Sequence, residues 1–326
     1  MLNVLISVDV EVWCNGWQDI DQKFPKAFST YIYGPTRKGD CGLPLKLKIL
    51  QEHGIKATFF VEPLFATRFG LAPLQEIVGL IKEYDQDIQL HLHTEWVDEA
   101  TVPILNNCKI KRQHIKQYSF EEQCILIKTG VELLQQSGCS DIKAFRAGSF
   151  GANMDTLEAL KRNNILIDSS YNYTFSDVNC DIEYHEPLYQ PALIKGVYEY
   201  PLSFFYENSH RTRHAQLGAC SSRELIQGLV QAEENGWSSF VMLSHNFELL
   251  NDSKSEPDNI VINRFRRVCE FLEQHRDTFI SCAFGDITPS GLLQNVQNSL
   301  TQPPPLKSKW LDSRMRVMEQ ILRRLH

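Results

Sequence analysis

Five short stretches carry side chains able to do acid–base or metal chemistry: SVDVEVW, QLHLHTEW, FRAGSFGAN, ILIDSSY and FVMLSHNFEL. In the first, Asp9 and Glu11 stand two residues apart, so on a strand they project to the same side. Two carboxylates held close repel unless a cation or a proton relieves them. In the second, His91 and His93 share a face if the strand persists that far, whereas His91 and Glu95 stand at the four-residue spacing that meets on a helical turn. Two imidazoles and a carboxylate with an open position suit a catalytic divalent metal, zinc first among them. Either His93 or Glu95 completes the set. The plain alternative is a pair of solvated acids at a turn and two half-exposed loop histidines.

The other three stretches each offer one group. Arg146 follows an apolar run and precedes glycines 148 and 151, which permit unusual backbone angles or a close approach. Its permanent charge suits holding a carboxylate such as Asp9. Asp168 is either a site residue or the N-cap of a following turn. His245 ends a very apolar run. A lone histidine there is commonly structural, but it falls at a strand end, as the other groups do.

These groups need elements to position them. VLISV, IKATFFVEP, DIQLHLH, KAFRAG, ILIDSS, SSFVMLSH and TFISCAF read as short apolar strands. Helical patterns separate them: LPLKLKILQEHG, LAPLQEIVGLIKEY, a helix opened by the capping box Ser119–Glu122, MDTLEALKRNN, ELIQGLVQAEENG and VINRFRRVCEFLEQH. Strands alternating with helices imply parallel strands buried on both faces. The expected fold is an α/β class (β/α)-barrel of about seven strands over residues 1–300, with its site at the carboxyl ends of the strands. An open doubly wound sheet is the alternative. Residues 99–118 read as a long loop, and 171–216 as irregular with one or two short strands.

In this order, the five stretches resemble the five motifs of the polysaccharide deacetylase (NodB-homology, carbohydrate esterase 4) superfamily, as in a divergent bacterial member. SVDVE resembles the Asp-x-Asp/Glu motif, QLHLHTEW the histidine motif, FRAG the arginine motif, LIDSS the aspartate motif and VMLSH the closing Leu-x-Leu-x-His. The resemblance covers residues 1 to about 285. It implies a metal-dependent hydrolase that removes an N-acyl group from an amino sugar. Glu11, His91 and His93 (or Glu95) would hold a metal that polarises the acyl carbonyl and a water. Asp9 would be the general base, Arg146 its orienting cation, and His245 the general acid, tuned by Asp168. The chain departs from the family in one place. The family's second histidine stands four residues after the first, where this sequence has Glu95. Hydrolysis of another C–N bond, as in a cyclic amide or ureide, and an inactive glycan-binding relative are the competing readings.

Bulk properties narrow the partners. The 326 residues carry a formal net charge of −7, which argues against a nucleic-acid binder. A carbohydrate or sugar-linked small molecule is the expected partner. The first apolar run is broken by Asp9 and Glu11, so it reads as a strand rather than a secretion signal. No run is long enough to span a membrane, and the expected location is cytoplasmic. Nine cysteines lie scattered without a C-x-x-C pair, which disfavours a disulfide framework.

The remaining segment, 301–326, opens with a Pro-rich linker. Leu311, Met315, Met318, Leu322 and Leu325 then form one stripe of a basic amphipathic helix. That stripe reads as a packing seam for the protein's own body, for self-association or for an anionic membrane surface.

Overall fold

The computed structural model describes every residue except 107–109, 177, 185, 209–210, 299–302 and 326. It divides into two compact units. One comprises Met1–Ala57, Phe204–Cys282 and Pro304–His326; the other comprises Thr58–Ser203 and Ala283–Pro303.

In the first unit, strand Leu2–Val10 lies between two parallel neighbours, Ser239–His245 and Phe279–Ser281. Its side chains are buried on both faces except at Asn3, as the unbroken apolar run requires. Helices Leu43–His53, Ser222–Glu234 and Asn259–Gln274 belong to the same unit. The first of these stops at Gly54 in the left-handed conformation (φ 61°), the ordinary glycine termination of a helix. Strand Phe204–Asn208 pairs antiparallel with Arg211–His214 and parallel with Leu306–Lys307.

In the second unit, Ala57–Val61, Asp87–Leu92, Ala144–Ala147, Ile167–Asp168 and Val197–Glu199 form consecutive parallel pairs. Ala192–Ile194 closes that edge antiparallel. Helix Phe120–Gln136 begins at the capping box read from the sequence. The Ser119 hydroxyl accepts from the Glu122 amide, and Glu122 accepts from the Ser119 amide.

The segment 12–42 holds a helix, Ile20–Phe28, followed by a π-helical turn, Ser29–Tyr33. Neither was legible in the sequence, where Pro25 and the irregular spacing of apolar residues masked the period. No helix among the described residues is long and apolar enough to cross a membrane.

The tail folds as helix Trp310–Leu325, but it is seated by charge. Arg316 is 5% exposed and ion-paired to Glu207 and Glu224, while Arg264 pairs with Glu319, Arg323 with Asp258 and Arg223 with Asp312. Asp312, Arg316, Glu319 and Arg323 recur at helical spacing, so the inward face is the polar one. Met315 and Met318, expected in a packing seam, are 49% and 65% exposed. Cys108 and the side chains of Leu311, Leu322 and Leu325 lie outside the described residues.

Candidate metal and acid–base site

Two groups of polar residues sit at strand ends, one in each unit. In the first unit Asp9 and His245 are register partners on adjacent parallel strands. Ligand-type atoms of Asp9, Glu11 and His245 all lie within 4.8 Å of one another. Asp9 and Glu11 are 3% and 7% exposed. The indole Nε1 of Trp13 donates to a Glu11 carboxylate oxygen at 2.7 Å.

His245 has a network of its own. Its Nδ1 lies 3.7 Å from Glu248, and the Glu248 carboxylate also accepts from the Ser244 hydroxyl and from Gln216. Behind it, the buried Lys46 ammonium donates to the Ser244 hydroxyl. Burial pulls the imidazole pKa down. The close Glu248 carboxylate and the charges of Glu11 and Asp9 override it and raise the value to about 9. Burial pushes Glu248 up, but the charges of His245 and Lys46 and the Ser244 hydroxyl bring it down to about 2. Burial lowers Lys46 to about 8, against the attraction of Glu248. The sequence reading missed Glu248, Lys46 and Gln216. An acid three residues beyond a strand-end histidine was the one available signal.

In the second unit His91 and Arg146 are register partners. The Nδ1 of His91 is hydrogen-bonded to the Arg146 carbonyl at 2.8 Å. As the carbonyl can only accept, His91 carries its proton on Nδ1. His93 follows the strand with extended backbone (φ −98°, ψ 101°), so its ring stays on the side of His91, their centroids 4.8 Å apart. Glu95 is the second residue of a 3-10 turn, Thr94–Glu99, and its carboxylate lies 3.3 Å from His93 Nδ1. Gly148 is required beside them. A Cβ there would fall 2.7 Å from the Leu92 carbonyl and 2.8 Å from His93 Nδ1. Ser149 and Phe150 follow with φ of 51° and 59°, an uncommon conformation that often marks functional turns.

Arg146 is fully buried. It donates to the Ser169 carbonyl and hydroxyl and lies over the Phe60 ring. Asp168 is placed differently. Phe145, not Arg146, is its register partner, so strand alternation turns it to the face opposite Arg146 and His91. There it accepts from the Ser170 hydroxyl and pairs in register with Glu199. Asp168 Oδ2 and Glu199 Oε2 are buried without a hydrogen-bond donor. Burial raises both carboxyls; the hydrogen bond with Glu199 pulls Asp168 part of the way back, while the Asp168 charge and that same bond push Glu199 well above the usual range, so the proton they share sits on Glu199.

No family model matches the sequence, and no curated protein matches it. Solved structures do. A 4-alpha-glucanotransferase from Thermococcus litoralis superposes with a TM-score of 0.54 at 12% identity, over 94% of this chain and 41% of its own. A candidate polysaccharide deacetylase from Mycobacterium smegmatis also reaches 0.54, at 15% identity and over 94% of both chains. The second match spans either protein nearly end to end, so this chain shares the fold of that protein over nearly its whole length.

Proposed function

We propose that this protein is a divalent-metal-dependent hydrolase that removes an N-acyl group, most simply acetyl, from an amino sugar. The observation that carries the reading is the Asp9–Glu11–His245 cluster, with a carboxylate pair and an imidazole at adjoining strand ends. The two histidines of the second unit support it, since each has its Nδ1 held by a protein acceptor, the usual outer contact of a ligating imidazole.

We assign Glu11, His91 and His93 as metal ligands. Glu95 orients His93 rather than binding the metal, and Trp13 orients Glu11. The donor set of one carboxylate and two imidazoles fits zinc. A divalent cation held by these residues would supply Lewis-acid polarisation of the acyl carbonyl. Asp9 takes the proton from the attacking water. His245, held protonated at neutral pH by Glu248, gives its proton to the departing amine, which leaves poorly as an anion. Arg146 keeps the role of orienting cation that the motif resemblance gives it. Asp168, on the other face of its sheet, has no step in this scheme.

The test joins metal analysis of the purified protein to an acetate-release screen over N-acetylated sugars and their oligomers. One divalent ion per chain with acetate release is the expected result. A metal-free protein that releases nothing would sink the enzyme reading in favour of a glycan-binding relative.

A further inference from the structure

Helix Trp310–Leu325 shows solvent the face that an amphipathic helix ordinarily buries. At about 100° per residue, Asp312, Arg316, Glu319 and Arg323 fall within an arc of about 60°. Each is ion-paired to the body of the first unit. Trp310, Arg314, Val317, Met318 and Ile321 fall within an arc of about 100° centred on the opposite side. The four apolar members of that stripe are between 46% and 65% exposed, and Met315 at its margin is exposed as well.

Single exposed apolar side chains are ordinary, but a contiguous stripe of them marks an interaction surface. The inward ion pairs hold this one outward. Turning the helix over to bury the stripe would strip Arg316 from Glu207 and Glu224, and Glu319 from the buried Arg264. A buried charge left without its partner is strongly destabilising.

Charge selects the occupant. The helix contains two acids, Asp312 and Glu319, and both are turned inward in ion pairs. The exposed charges among the described residues of 304–325 are all cations: Lys307, Lys309 and Arg314. The Arg314 guanidinium lies 3.8 Å from the centre of the Trp310 ring. That pairing suits a lipid–water boundary, where an indole sits at headgroup level and a long basic side chain reaches the phosphates. A second copy of the helix would set cations against cations, which is unfavourable. The 16 residues measure about 24 Å. With their charges they do not suit a bilayer span, but they suit a helix lying along its surface.

We propose that this outward stripe docks the protein on an anionic lipid bilayer. The helix lies in the plane of the interface, with Val317, Met318 and Ile321 entering the acyl boundary and Lys309 and Arg314 among the phosphates. The docking surface is independent of the acid–base site and of the reaction assigned to it.

Flotation of the full chain with vesicles of phosphatidylcholine alone, and of phosphatidylcholine mixed with phosphatidylglycerol, tests it. The mixed vesicles should bind at least about tenfold more tightly than the neutral ones, and added salt should weaken that binding. Lys309→Glu with Arg314→Glu should cost about 25-fold or more, since each cation near an anionic surface contributes about fivefold. Met318→Ser with Ile321→Ser, both at exposed positions, should cost about tenfold or more without lowering the melting temperature. Mixed vesicles should shift the tryptophan emission to the blue, and Trp310→Phe should remove the shift. No binding to mixed vesicles, equal binding to both kinds, or undiminished binding by either double variant overturns the membrane assignment. A dimer in sedimentation analysis that Met318→Ser with Ile321→Ser dissociates would overturn it too, because a second copy would then cover the stripe.

Discussion

The Nδ1 atom of His245 lies 3.7 Å from a carboxylate oxygen of Glu248, three residues further along the chain. That acid raises the imidazole to about 9 against the opposing pull of burial. Glu248→Gln removes the charge and keeps the shape. The imidazole pKa should then fall by about one unit or more, each unit being about 1.4 kcal/mol. In a pH–rate profile the alkaline limb, where His245 loses its proton, should move to lower pH. Imidazole titration by NMR should show the same displacement without any substrate. An unmoved imidazole would remove Glu248 from the acid's machinery.

The same pair carries a pH dependence of stability. His245 has a raised folded pKa, so its contribution is complete below the unfolded value near 6.5 and is lost as pH rises through about 9. Glu248 has a depressed one, so its contribution is complete above about 4.5 and is lost as pH falls through about 2. Urea unfolding of the metal-free protein should show both losses, and Glu248→Gln should weaken both. An unchanged pH–stability curve in the variant would contradict the pairing.

Metal binding should separate ligand from orienting residue. His91→Ala, His93→Ala and Glu11→Ala should each release the metal. Glu95→Gln and Trp13→Phe should weaken it by about 10- to 100-fold, the usual cost of losing a residue that orients a ligand. Competition with a chromogenic chelator measures this. If Glu95→Gln frees the metal and His93→Ala retains it, the two residues exchange roles.

The Asp168–Glu199 pair should make the second unit less stable as pH rises. Both carboxyls are raised, so the stabilisation they give is complete below the unfolded pKa near 4.5 and is lost as the shared proton leaves. Glu199→Gln keeps an oxygen for the Tyr171 amide, which now binds Glu199, and places an amide donor towards Asp168. Thermal melts at increasing pH from the acid side upward should show a smaller loss in the variant. A steeper loss would mean that the pair shares no proton.

The tail should matter through its charges. Arg316→Met leaves Glu207 and Glu224 without the guanidinium that lies between them. Breaking a buried pair in this way costs about 3–5 kcal/mol. Deleting residues 304–326 should destabilise at least as much, because the pairing of Leu306–Lys307 with Phe204–Asn208 goes too. Met318→Ser, at an exposed position, should change stability by less than about 0.5 kcal/mol. Chemical denaturation ranks the three. A large effect at Met318 with none at Arg316 would restore the apolar seam.

The local determinants were legible in the sequence, because they depend on near neighbours. Alternation placed His91 and His93 on one side of an extended segment, the Ser119–Glu122 pair marked a helix start, and Gly54 marked a helix end. Apolar runs ending in Asp9, His91, Arg146 and His245 identified strands that finish in charge. Tertiary structure decided which acid meets which base. Register sets Asp9 beside His245 and turns Asp168 towards Glu199, and one residue of offset between Phe145 and Arg146 is enough to exchange the two faces. The tail shows the same division. Its helical period was written in the chain, but its inward face was set by Glu207, Glu224 and Asp258, tens of residues away in sequence. Periodicity reveals that a helix has two faces, while the partner's surface chemistry determines which one is buried.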